Sequence, residues 1–164
     1  MGLTDGYGTF LNSEGIVYMD ESFIDRLHDI VLDAHGGLKG KLQDNLGSIC
    51  SNAFYHKDNS LEGVAAYYLS RIVKGHPFCD GNKRTGFLTS VVFLGTNSRK
   101  YNIYDEKLTA GKISEIANSL DMDQAYEYSK LFVDEHIANP VHGGYKNHAE
   151  EKSINDVTYI LSGI

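Results

Sequence analysis

His76-Pro77-Phe78-Cys79-Asp80-Gly81-Asn82-Lys83-Arg84-Thr85-Gly86 runs straight into Phe87-Leu88-Thr89-Ser90-Val91-Val92-Phe93-Leu94. A histidine, a carboxylate, a glycine, an amide and two cations stand immediately ahead of an apolar run. The pattern reads as a loop feeding a helix from about residue 81 to 96. That helix is apolar nearly all round, so it is expected to be central and buried. The first N–H groups of a helix have no partner within it, and its dipole favours negative charge there. A loop bringing Gly81 and Asn82 to that point is a phosphate cradle. Lys83 and Arg84 add positive charge, Asp80 can hold a hard cation such as Mg²⁺ through oxygen, and His76 is the candidate general base. The plain alternative is an ordinary polar loop capping a core helix.

Working outward, apolar spacing predicts further helices on both sides. Asp20 is an N-cap for a helix over 20–35, with Phe23, Leu27, Ile30, Val31 and Ala34 inward and Gly36-Gly37 ending it. A second helix is expected over 42–54, its buried face Leu42, Leu46, Ile49, Cys50 and Ala53. Ser60 caps a third, with Leu61, Val64, Ala65, Tyr68, Leu69, Ile72 and Val73 inward, closed by Gly75 just before His76. Beyond the motif, 105–118 and 121–138 read as two more helices, the first supported by Leu108, Ile113, Ile116 and Ala117. Ala125, Tyr128, Leu131, Phe132 and Ile137 support the second. Asn139-Pro140 and Gly143-Gly144 break the pattern, and 147–164 reads as a terminal helix. Gly15 to Met19 forms one short strand, and Tyr101 to Tyr104 is extended. The expected fold is all-α: a helical bundle whose motif loop leads into a central buried helix, with one or two very short strands. Three parts are expected: a loose N-terminal arm over 1–15, the main domain over 16–138 and an extension over 139–164.

The 164 residues suffice for one domain with its own core. A net charge of −7, from 22 acidic against 15 basic residues, argues against a basic nucleic-acid-binding surface. Two cations together in an acidic chain point instead to a small anionic ligand. No apolar run approaches the roughly 18 residues of a membrane span, and the first residues carry no signal-peptide or myristoylation pattern. The expectation is a cytoplasmic protein with two free thiols, Cys50 and Cys79. Cys79 reads as a small packing residue.

His-Pro-Phe-x-Asp-Gly-Asn-x-Arg resembles the signature of the Fic-domain family, and Asn82-Lys83-Arg84-Thr85 is similar to its Doc (death-on-curing) branch. The likeness covers about 16–137. Its second anchor is Gly36 to Leu46, which resembles the glycine-rich turn and Leu-rich helix early in death-on-curing proteins. The resemblance implies the helical core, with His76 deprotonating a hydroxyl on a target protein and Asp80 binding Mg²⁺ or orienting nucleotide phosphates. Gly81, Asn82 and Lys83 would form the anion hole with backbone and side chains, Arg84 would pair with phosphate oxygens, and Phe78 would point into the core. It implies ATP and Mg²⁺ as cofactors, a protein substrate such as a translation factor, and an antitoxin partner.

Two departures separate the chain from the AMP-transferring Fic pattern. That pattern has Gly at Lys83 and a second arginine at Phe87, and phenylalanine cannot replace bidentate phosphate contact. Doc-like proteins share the lysine, so the resemblance implies transfer of the γ-phosphoryl group. Adenylyl transfer and a catalytically weak nucleotide- or partner-binding module are the alternatives. The loop is neither a Walker A motif nor preceded by the Gly-x-Gly-x-x-Gly of protein kinases. The inhibitory Ser/Thr-x-x-x-Glu pattern of many Fic proteins has no match here, since Asp58 stands at the hydroxyl position before Glu62.

The remaining polar residues take ordinary readings. His28, His35 and His136 are placed at surface or boundary positions without a ligand role. His56-Lys57-Asp58-Asn59 is a turn, and His142, His148, Glu150 and Glu151 are solvated. Tyr67, Tyr68, Tyr126 and Tyr128 are amphipathic packing.

Overall fold

The computed structural model describes residues 9–12, 14–102, 105–137 and 164. Strand β1 (Thr9–Leu11) pairs antiparallel with β2 (Val17–Met19), in register Thr9 with Met19. The Asn12 carboxamide oxygen accepts from the amides of Glu14 and Ile16, which turns the chain between the strands. The N-terminal arm expected over 1–15 therefore contains a strand. Residues 1–8, and the terminal helix and polar residues expected over 139–163, lie outside the described residues.

Six helices follow among the described residues: α1 (Glu21–His35), α2 (Leu46–Phe54), α3 (Leu61–Val73), α4 (Asn82–Thr96), α5 (Glu106–Ala117) and α6 (Met122–His136). The capping reading holds at the ends that matter. The Asp20 and Ser60 side chains accept from the amides of Phe23 and Gly63, and Asp105 and Asp121 do the same for α5 and α6. Helix α3 lies at the centre, packed against α4 on one side and α6 on another. It is enclosed on nearly every side, with Gly63, Ala66, Tyr67 and Ser70 buried alongside the expected inward set, of which only Leu61 is half-buried. Helices α3 and α4 approach closely at Gly86, where a Cβ would lie 2.6 Å from Val73 Cγ2.

Several faces differ from the periodicity reading. In α1 the buried stripe is Ile24, Leu27, His28, Val31 and Leu32, one step round from the expected face, and Ile30 and Ala34 are exposed. Leu108 on α5 and Tyr128 and Leu131 on α6 are exposed rather than packed inward. Helix α2 starts at Leu46, not Leu42, and Leu42 is exposed. The reason is that the segment ahead of Leu46 lies along the motif loop instead, with Lys41 bridging antiparallel to Phe78. The Leu42 and Gln43 amides donate to the Pro77 carbonyl at 2.9 and 3.4 Å, and Cys79 donates to Gly40 at 2.9 Å. Helix α2 can begin only after this segment has clasped the motif loop.

Candidate active site at the start of helix α4

Residues 75–81 form the turn between α3 and α4. The loop is held from one side by the segment before α2. Besides the backbone bonds to Pro77 and Cys79, Gln43 Nε2 and Asn45 Nδ2 both donate to the Gly75 carbonyl. From within, Phe78 anchors it at 2% exposure. The Asn82 side chain closes it, Oδ1 accepting from the Phe78 amide at 3.0 Å and Nδ2 donating to the Phe78 carbonyl at 2.9 Å. Asn82 was expected to line the anion hole with its side chain as well as its backbone. That side chain is instead buried and committed to the loop, which leaves the backbone N–H for an anion.

His76 is exposed and has φ +50°, a left-handed conformation that costs a non-glycine residue about 1–2 kcal/mol. Its Nδ1 lies 3.0 Å from the Lys74 carbonyl. A carbonyl only accepts, so Nδ1 carries the hydrogen and the lone pair of the neutral ring sits on Nε2. Lys74 is itself tied down, its ammonium 2.6 Å from the Ser119 carbonyl. The imidazole therefore presents a base to solvent from a turn fixed at several points.

Asp80 is also exposed. Its Oδ1 accepts from the Gly81 amide at 2.8 Å and its Oδ2 from the Leu38 amide at 3.2 Å. Gly37, at φ +129°, makes room for it: a Cβ there would lie 2.7 Å from Asp80 Oδ2. Gly36 ends α1, while Gly37 admits the carboxylate, so the pair does more than terminate a helix. A carboxylate has about four lone pairs, so each Asp80 oxygen can still accept once more. That fits an Mg²⁺ shared between one carboxylate and substrate phosphates. Among the described residues no cluster of three or more His, Cys, Asp or Glu forms an all-protein metal site.

Gly81, at φ +78° and ψ 14°, opens α4 with no side-chain cap, unlike α1, α3, α5 and α6. Lys83 and Arg84 lie half-buried in this first turn. Arg84 is close enough to His35 that burial first, and then the guanidinium charge, hold His35 below the ordinary histidine range. Phe87 is fully buried, ringed by Tyr101 and Phe132 at centroid distances of 5.9 and 6.3 Å. The turn thus brings His76, Asp80, Gly81, Lys83 and Arg84 to one end of α4, with the Asn82 side chain turned inward. Cys79 is exposed rather than packed, because its neighbour Phe78 takes the inward position. Cys50 is buried, and burial pushes its thiol up to about 12.

Sequence reading missed His28. It is 4% exposed, stacks on Phe78 at 3.8 Å and 6°, and lies 2.8 Å from the Asp80 carbonyl. The signal was present: Ile24, Leu27, His28 and Val31 follow the spacing of one helix face. His56 keeps its turn role, with Nδ1 on the Asp58 carbonyl.

Residues 18–94 match the profile of the Fic/DOC family. Over 76 residues the chain is 33% identical to Protein kinase doc of Escherichia phage P1, an alignment covering 43% of this chain and 60% of that protein. The chain thus spans less than two thirds of that relative's length. Among the described residues no helix is long and apolar enough to cross a membrane.

Proposed function

We propose that this chain, which belongs to the Fic/Doc family and to its Doc-like branch, transfers the γ-phosphoryl group of ATP to a Ser or Thr hydroxyl of a protein. The observation that carries the reading is the first turn of α4. Lys83 follows Asn82, and the position three residues beyond Arg84 is Phe87, sealed in an aromatic cluster at 0% exposure. The second guanidinium of the AMP-transferring pattern has no counterpart there, and the buried position could not present one. The name of the phage P1 relative supports the same donor chemistry.

In this reading His76 Nε2 takes the hydroxyl proton as the oxygen attacks the γ-phosphorus. The bond from that phosphorus to the β–γ bridging oxygen breaks, and ADP leaves with the electron pair. Backbone N–H groups at the start of α4, with Lys83 and Arg84, stabilise charge on the phosphoryl oxygens. Mg²⁺ held between Asp80 and the phosphates would neutralise part of their charge. A translation-factor target and an antitoxin partner belong to the same reading.

The test is to incubate the protein with lysate, Mg²⁺ and ATP labelled at either the α or the γ position, then identify the labelled band by mass spectrometry. Label arriving from the γ position supports the proposal. Label arriving from the α position assigns adenylyl transfer instead. ATP binding by calorimetry without transfer of either label would leave a binding module.

A further inference from the structure

Helix α1 and the residues just past its end hold Asp80 at two points. At the main chain, His28 Nε2 lies 2.8 Å from the Asp80 carbonyl oxygen. At the side chain, the Leu38 amide just past the helix donates to Oδ2 at 3.2 Å. Since the carbonyl can only accept, His28 Nε2 carries a hydrogen and donates it. We propose that His28 is a positioning residue that sets the Asp80–Gly81 peptide plane and so preorganises the anion cradle of α4, a role that rests on the phosphoryl-transfer reading for its effect on turnover.

That peptide has two polar handles. Its carbonyl is held by His28, and its N–H, on Gly81, points at Asp80 Oδ1 at 2.8 Å. Gly81 lacks the Cβ that would restrict the rotation, so the backbone itself does not forbid reversing the peptide. Reversal would turn the carbonyl oxygen toward the Asp80 carboxylate, bringing two acceptors together where cation and phosphates are to bind. The His28 bond selects against that state. Packing alone does not account for a histidine here. The face against Phe78 is apolar, and a leucine would fill it without burying a polar ring. His28 stands beside Gly81, stacks on the uncharged ring of Phe78 and is not among the groups proposed to act on the substrate.

Two variants of the full chain separate the donor from the packing. His28→Leu keeps bulk on Phe78 and removes the donor, while His28→Gln keeps an N–H that can reach the Asp80 carbonyl. Each is compared with wild type by thermal melting, by kcat and KM for ATP, and by the backbone amide resonance of Gly81. A preorganised donor site acts mainly on the transition state. Thus His28→Leu is expected to lower kcat at least about tenfold with KM moved less than about threefold. It should also move the Gly81 amide resonance, and His28→Gln should restore both. The proposal is overturned if His28→Leu leaves kcat and the Gly81 resonance as in wild type. It is equally overturned if His28→Gln is as impaired as His28→Leu. If wild type transfers no label, the phosphoryl-transfer reading fails, and the Gly81 resonance alone decides the role of His28. If His28→Leu does not fold, His28→Met makes the same comparison.

Discussion

The Nδ1 atom of His76 sits 3.0 Å from the Lys74 carbonyl, two residues back in the same turn, and this one hydrogen bond decides which ring nitrogen is free to act as a base. The turn is paid for in backbone strain, at φ +50°. Replacing His76 therefore separates chemistry from stability. His76→Gly should abolish transfer from γ-labelled ATP, a loss of about 10²–10⁴-fold. It should also leave stability equal or higher by up to about 1 kcal/mol, since glycine accepts the left-handed backbone. Turnover at the wild-type rate would remove His76 from the mechanism.

Asn82 makes the opposite case, a motif residue whose side chain works for the loop. Its carboxamide satisfies both the N–H and the C=O of buried Phe78. Asn82→Ala leaves two buried backbone groups without partners and should destabilise the protein by about 2–4 kcal/mol in urea titration. Asn82→Asp keeps the acceptor and loses the donor, so it should fall between wild type and the alanine variant. An unchanged midpoint in Asn82→Ala would show that the side chain is dispensable to the fold.

Phe87→Arg tests whether the AMP-transferring pattern can be restored by one substitution. The position is sealed between Tyr101 and Phe132. Burying an unpaired guanidinium there should cost more than about 3 kcal/mol, seen as a large fall in melting temperature. The preference for γ- over α-label in whatever folded protein remains should not change. A stable variant that transfers α-label would show that the position opens toward the nucleotide after all.

His35 provides a pH signature. Burial, and behind it the Arg84 charge, depress its pKa in the folded protein. As pH falls below the unfolded midpoint of about 6.5, the unfolded chain gains a proton that folded His35 resists. Stability is therefore lost as pH drops through that value, and the loss levels off below the folded midpoint. His35→Gln removes this component, so it should lose less stability than wild type between about pH 7.5 and 5.5. Adding ATP should raise the His35 midpoint, read by proton NMR, because phosphates at Arg84 would offset its charge. A midpoint that ignores ATP would place the phosphates elsewhere.

Much of the architecture was legible because it is local. Caps at Asp20 and Ser60, the all-round apolar run after Gly81 and the spacing of α3 each depend on residues within a turn or two of one another. The candidate site could be assembled from the sequence for the same reason: His76, Asp80, Gly81, Lys83 and Arg84 are neighbours in the chain. Faces were read less well. Ile30, Ala34, Leu108 and Leu131 have apolar spacing yet are exposed, because among the described residues no helix covers that side.

By itself, the sequence determined the six helices of the described residues, the turn that feeds α4 and the chemical groups gathered in it. These follow from hydrogen bonding and apolar periodicity along a single stretch of chain. Only the tertiary structure decided that residues 42–45 leave the expected helix, in a segment that clasps that turn, that Asn82 looks inward and that His28 reaches the Asp80 carbonyl across a gap of 52 residues. The clasp and the His28 contact join segments far apart in sequence, and nothing in local propensity says which donor will meet which acceptor once the core has closed; Asn82 bonds only four residues back, but its inward turn follows from the burial of Phe78.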